Sequence, residues 1–331
     1  MSLQAPEDRP LLEVDRLNTV FHTRAGTIRP VRNVSFTVAR GEVLGVVGES
    51  GSGKSVTGLS ILGLIDKPGE IESGAIRLNG RDLVGLPEAE MRRIRGAKIA
   101  MIFQNPMMTL NPLERIGYQI AEALSEHESL SRRELRERCV AALQAVGIPS
   151  PEERLDAYPH QFSGGMRQRI VIAAALVTGP DLIIADEPTT ALDVTIQAQI
   201  IHQMRQLIDQ IGAGMIWISH DLATLSELAD RIVVMYAGTV VETGATAEII
   251  GAPRHPYTRK LLDSVPSRNT PGAALAQIQG IMPSLLTIGE GCPFASRCDR
   301  RVDGCARPIP ATKLSATRTV WCINMPEEET A

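Results

Sequence analysis

The chain has 331 residues, which at roughly 150 residues per domain points to about two domains. Lys plus Arg is 34 against 38 Asp plus Glu, a net charge of −4, so no global basic field is present. Five Phe, two Trp and four Tyr are too few for an extended base-stacking platform, and no nucleic-acid partner is expected. With 44% hydrophobic and 22% charged residues the chain can bury an ordinary core. Its longest apolar run, the eight residues 170–177, is far short of a bilayer span. The N-terminal MSLQAPEDRP lacks the basic-then-apolar pattern of a signal peptide, so the chain reads as soluble and cytosolic.

In chain order, residues 11–21, 30–38 and 42–47 are apolar, β-branched and bounded by Gly, Pro or charge, and are expected as strands. Residues 74–78 and 98–103 continue the sheet region. From 113 to 147 the spacing turns helical. Ser131 and Glu134 form a capping box, Leu135, Cys139, Ala142, Leu143 and Val146 fall on one face, and Gly147 with Pro149 stops the helix. Residues 170–177 and 195–211 are expected as helices, and 181–185, 215–219 and 231–235 as strands. Buried strands separated by helices imply a largely parallel sheet covered on both faces. Beyond Ala252 prolines punctuate the chain and four of the five cysteines appear, which places a boundary near 246–255.

Residues 48–55, GESGSGKS, complete the pattern G-x-x-x-x-G-K-[ST] between the apolar VLGVV and a helical run. Gly48, Gly51 and Gly53 let the backbone curl its N–H groups toward phosphate oxygens, around Glu49, Ser50 and Ser52. Lys54 brings a positive charge to the β and γ phosphates of ATP, and Ser55 a hydroxyl to Mg²⁺. The helix that follows adds its positive end. Downstream, LIIADEP (182–188) runs four apolar residues into two adjacent acids at a strand's C-terminal end. Neighbours in a strand point to opposite faces, so Asp186 is assigned to Mg²⁺ and Glu187 to the attacking water.

FSGGM at 162–166 resembles the LSGGQ signature of ABC-transporter ATPase subunits, and the stretch 158–176 is similar to the peptide-importer branch. A bare SGG is no more than a turn with a helix cap; its place after GESGSGKS and before LIIADEPTTALD makes it specific. Gln104 resembles the Q-loop glutamine, assigned both to catalysis and to Mg²⁺. Asp193 resembles the D-loop aspartate and His220 the switch histidine. The resemblance covers about residues 10–250 and implies an α/β P-loop ATPase core (1–252) with a mostly parallel sheet and a helical subdomain at about 105–165. It implies that Ser163, Gly164 and Gly165 contact ATP held by a second ATPase subunit, a paralogue or a copy of this chain. Adenine stacking falls to Phe21, with Ile28 as an alternative; the insert HTRAGTIRP separates Phe21 from the sheet.

Cys292, Cys298, Cys305 and Cys322 are spaced x5, x6 and x16. Zinc knuckles need tighter spacing, and disulfides do not suit a reducing compartment. Residues 253–331, with HPYTRKLLDSVP and GCPFASRC, resemble the C-terminal region of oligopeptide and dipeptide importer ATPases, which implies a [4Fe–4S] cluster on these four cysteines. Small buried hydrophobes without metal remain the alternative, and Cys139 is read as core.

The resemblance thus implies an ATPase that energises dipeptide or oligopeptide import from the cytoplasmic face of the inner membrane. It would be peripheral, joined to two permease chains and indirectly to an extracytoplasmic peptide-binding protein. Nickel or another peptide-like solute is the alternative cargo. A non-transport ABC ATPase is the rival from another class, although neither long coiled-coil segments nor a second cassette is present in this sequence.

Overall fold

The computed structural model describes residues 9–190, 192–265 and 276–326. Residues 1–8, read above for a signal peptide, and Pro266 and Pro271 of the proline-rich tail lie outside them. The chain divides into two compact units. One holds the residues through Val38, Val43–Val84 and those from Trp217 onward; the other holds Ala39–Glu42 and Gly85–Ile216.

In the first unit, strands Leu12–Thr23 and Gly26–Val38 pair antiparallel, and Gly69–Leu78 joins the other side of the first. The supposed insert HTRAGTIRP is therefore the tip of a hairpin, with Phe21 opposite Ile28 and Thr23 opposite Gly26. Alternation was broken there by His22, Arg24 and Arg29, which line the exposed end of the hairpin rather than interrupt it. These strands form a separate antiparallel sheet and do not join a parallel one.

Strand Val43–Val47 pairs parallel with Arg231–Tyr236, and every residue of VLGVV is buried. A Cβ on Gly45 would come within 2.9 Å of Leu225, so the glycine lets helix Leu222–Leu228 lie close against the strand. Thr239–Ala245 adds antiparallel to Arg231–Tyr236, and the short strands Thr319–Val320 and Thr312–Lys313 extend it with tail residues. Sequence spacing missed these last three strands. Two are only two residues long, and in the first a buried Glu242 interrupts the apolar run.

In the second unit Ile99–Ile102 pairs parallel with Leu182–Asp186, both apolar and almost wholly buried. The expected helical stretch is two helices, Ile116–Ser125 and Arg132–Ala145. The second begins at the expected capping box: Ser131 Oγ accepts from the Glu134 N–H at 3.3 Å, and Glu134 Oε2 from the Ser131 N–H at 2.8 Å. Cys139, Leu143 and Val146 are buried as the spacing requires, and Gly147 ends the helix with φ 69°. Helix Gly164–Leu176 begins six residues before the apolar run from which it was read. Among the described residues no helix is long and apolar enough to cross a membrane.

Candidate active site

The phosphate loop lies in the first unit, between strand Val43–Val47 and helix Lys54–Ile61. Gly53 caps that helix at φ 100°, a left-handed conformation that a side chain resists, and a Cβ there would run into the Pro30 carbonyl. A Cβ on Gly48 would likewise strike the Met235 carbonyl. Gly51 has φ 79° and abuts the methyl of Met282. The Gly238 N–H donates to the Ser52 carbonyl at 2.9 Å. Ser52 and Lys54 are buried, and Lys54 Nζ donates to the carbonyls of Gly48 (2.7 Å) and Glu49 (3.0 Å). Ser50, Gly51 and Ser55 are exposed on the loop's outer side.

In the same unit His220 follows strand Gly214–Ser219 and is exposed. Asp221 beside it caps helix Leu222–Leu228 through the N–H groups of Ala223 and Thr224. Phe21 is half-buried and lies across Gly69, whose Cβ would come within 2.6 Å of the ring.

The second unit brings together two of the expected residues. Gln104 Nε2 donates to Glu187 Oε2 at 3.0 Å, and Thr190 Oγ1 donates to the same oxygen at 3.1 Å. Strand alternation is not what separates the adjacent acids. The strand ends at Asp186, which is buried, and Glu187 turns off it at φ 46°. A non-glycine residue in that region carries local strain of about 1–3 kcal/mol, and such strain gathers at functional sites.

Ser163 is the N-cap of helix Gly164–Leu176, its hydroxyl accepting from the Met166 N–H at 3.3 Å. Ser163 and Gly164 are exposed, while Phe162 before them is buried beneath the Arg154 guanidinium. Gly165 lies 2.7 Å, measured from its would-be Cβ, from Ile196 of helix Val194–Ile211. Asp193 caps that helix, accepting from the Ile196 N–H at 3.0 Å.

The cysteine tail belongs to the first unit. Burial pushes the Cys292 thiol up to about 11, and the nearby charges of Cys305, Cys322 and Cys298 add to the shift. Burial also raises Cys298 and Cys322, again with contributions from fellow cysteines. The tail thus gathers the four, yet among the described residues no three or more His, Cys, Asp or Glu are arranged to hold a metal ion.

Two residues that spacing did not single out, Arg297 and Tyr257, meet the phosphate loop. Arg297 grips the Glu49 carboxylate through both terminal nitrogens, at 2.6 and 3.1 Å, and donates to the Tyr236 hydroxyl at 3.0 Å. The Tyr257 hydroxyl accepts from the Glu49 N–H at 2.8 Å. Only the triplet HPY and the arginine inside FASRC could have hinted at them.

Residues 31–190 match the ABC transporter family, and residues 241–305 match the oligopeptide/dipeptide transporter C-terminal region. The chain is 48% identical over 314 residues to the dipeptide transport ATP-binding protein DppD of Bacillus subtilis, covering 94% of each chain. To DppD of Escherichia coli it is 47% identical, over 92% of this chain and 94% of that one. The chain belongs to the ABC transporter family. As a member of that family it is an ATPase with an α/β P-loop fold. The dimeric ABC transporter cassette MJ0796 superposes with a TM-score of 0.64 at 26% identity, covering 71% of this chain and 98% of that one. The same cassette is also described in a dimeric post-hydrolysis state bound to ADP and Pi, at the same TM-score, identity and coverage.

Proposed function

We propose that this chain is the ATP-hydrolysing subunit of an importer for dipeptides or oligopeptides. The observation that carries this reading is the pairing, in one chain, of the ABC match with the oligopeptide/dipeptide transporter C-terminal match. Relatives named as dipeptide transport ATP-binding proteins support it along nearly the whole length. We take residues 1–252 as the ATPase domain, with the helical subdomain at about 105–165, and 253–331 as the importer-type C-terminal region.

In this reading Gly48–Ser55 wraps the phosphates with backbone N–H groups, and the Lys54 ammonium neutralises them. Mg²⁺, when bound, supplies further charge neutralisation, and the oxygen and amide donors Ser55, Gln104 and Asp186 would hold it. Glu187 polarises the attacking water; Gln104 and Thr190 share its Oε2 and so fix how the carboxylate is aimed. His220 orients the γ-phosphate. Ser163, Gly164 and Gly165 offer an exposed helix N-terminus to ATP held by a second ATPase subunit, a paralogue or a second copy. Asp193 sits beside them as a helix cap, and Phe21 or its cross-strand neighbour Ile28 stacks on adenine.

Met108, Leu113 and Tyr118, all within the helical segment, are 85, 84 and 60% exposed, and we take that segment as the part that meets two permease chains. The chain would then be peripheral, on the cytoplasmic face of the inner membrane, and indirectly linked to an extracytoplasmic peptide-binding protein. A [4Fe–4S] cluster on Cys292, Cys298, Cys305 and Cys322 belongs to the same reading. It rests on four soft sulfur donors gathered in one region, whose binding would release the thiol protons. Iron and acid-labile sulfide after anaerobic purification would support it, and zinc alone or no metal would overturn it.

The reading is tested with the complex reconstituted in vesicles. Glu187→Gln should keep ATP binding and lose hydrolysis by about 10²–10⁴-fold, while Lys54→Ala should weaken binding itself. Near-wild-type turnover by Glu187→Gln, or ATP-dependent uptake of no peptide by the wild type, would sink it.

A further inference from the structure

The sequence motif explains what the phosphate loop does with ATP but not what holds its first turn in place. Glu49, second residue of GESGSGKS, is held at both its ends by residues of the C-terminal region. Its N–H donates to the Tyr257 hydroxyl, and its carboxylate takes two hydrogen bonds from Arg297. The Arg297 side chain is only 5% exposed. Burial alone would lower the affinity of its guanidinium for its proton, but the bonds to Glu49 and Tyr236 outweigh that and raise it.

The residues that hold Glu49 are themselves tied to the cysteines. Arg297 immediately precedes Cys298 and also donates to the carbonyls of Ile278 and Gln279. Phe294, fully buried between Cys292 and Cys298, packs on Tyr236 and Tyr257 with ring centroids 5.2 and 5.3 Å apart. Tyr257 is set by its own helix start. His255 Nδ1 accepts from the Tyr257 N–H at 3.0 Å, and the Glu242 carboxylate accepts from the N–H groups of Arg254 and His255. Because Nδ1 is the acceptor, the neutral imidazole carries its proton on Nε2, which lies 4.0 Å from Cys292 Sγ.

We infer that Arg297 and Tyr257 are positioning residues for ATP binding, by which the cysteine-bearing C-terminal region holds the phosphate loop in its nucleotide-accepting shape. The inference rests on the proposed ATPase reading of the loop. Neither residue need touch nucleotide; each acts through Glu49. Without them the loop would lose two charge-assisted bonds and one N–H acceptor, and ATP would have to order it. By reciprocity, ATP binding should in turn tighten the tail by the same factor.

The test is a titration of the full-length chain with a fluorescent ATP analogue, alongside melting curves. Arg297→Ala should weaken binding about tenfold, and Arg297→Lys should recover part of the loss, since one ammonium cannot replace a two-pronged grip. Glu49→Gln should weaken binding to a similar degree, and the double variant with Arg297→Ala should be no worse than either alone. Tyr257→Phe keeps the aromatic packing and removes only the hydroxyl, so it separates loop positioning from tail folding. It should weaken binding with little change in melting temperature. Exposed Arg301, replaced by Ala, serves as the tail-charge control and should leave affinity unchanged. In hydrogen exchange, saturating ATP analogue should protect residues 292–306 in the wild type and not in Arg297→Ala. Wild-type affinity in both Arg297→Ala and Tyr257→Phe, or additive losses in the double variant, would overturn the inference. A wild-type chain that binds no nucleotide would instead overturn the ATPase reading itself.

Discussion

The phosphate loop and the SGG segment are both glycine-rich, both precede a helix, and are held in opposite ways. The loop is packed from outside: Pro30, Met235, Gly238, Tyr257, Met282 and Arg297 all reach it from distant parts of the chain. Ser163 and Gly164 are exposed and ordered by their own helix, through a cap three residues long. In the loop, glycine is required because there is no room for a side chain. In the exposed Gly164 there is room, since a Cβ would meet only Leu192 at 3.9 Å. Glycine there is not demanded by the packing of this chain around it.

The strongest way to break the comparison is to loosen the loop's surroundings without touching the loop. Arg318 and Glu242 form an ion pair with side chains 7 and 0% exposed, tying the tail to strand Thr239–Ala245. Arg318→Met strands a buried carboxylate, and should cost about 3–5 kcal/mol in denaturant unfolding. A cost below 1 kcal/mol would show that the tail is not bound into the unit that carries the loop.

The two glycine substitutions come next. Gly53→Ala forces a side chain into a left-handed residue and against a carbonyl, an expected loss of about 2–4 kcal/mol with nucleotide binding gone. Gly164→Ala should leave the melting temperature unchanged or slightly raised, because alanine favours helix. Equal destabilisation by both would erase the distinction. Gly165→Ala lies between them, its Cβ 2.7 Å from Ile196, and overpacking there should cost about 1–3 kcal/mol by the same assay.

The smallest effect reads the second unit by chemistry. Cys139 is buried on helix Arg132–Ala145, and burial raises its thiol to about 11. A group whose folded value is raised stabilises the fold below its unfolded value of 9.0 and loses that contribution as pH climbs from 9.0 toward 11. Alkylation of Cys139 at pH 8 should therefore be slow in the native chain, and Gly165→Ala should speed it if the signature helix loosens. Rapid native labelling would contradict the burial.

The candidate site is built from residues that sequence patterns alone single out. GESGSGKS, Gln104, SGG, Asp186, Glu187, Asp193 and His220 stand in recognisable patterns, and the capping box at Ser131 located a helix start to the residue. Other readings failed where long-range packing intervened. HTRAGTIRP reads as an insert in the sequence, yet it forms the tip of a hairpin whose strands pair from Leu12 to Val38. Glu187 was assigned by strand alternation, but the strand ends one residue earlier and a left-handed turn re-aims the acid.

The amino-acid sequence by itself determined which chemical groups this protein carries and where the helix capped by Ser131 begins, since capping boxes and phosphate-binding turns are written in residues a few positions apart. Only the tertiary structure decided what surrounds those groups. Arg297 lies 248 positions from Glu49 and Tyr257 lies 208 from it, and no local spacing encodes either bond. Such contacts arise when separate segments bury their apolar faces together. Their polar groups must then find partners across the fold, because water can no longer supply them.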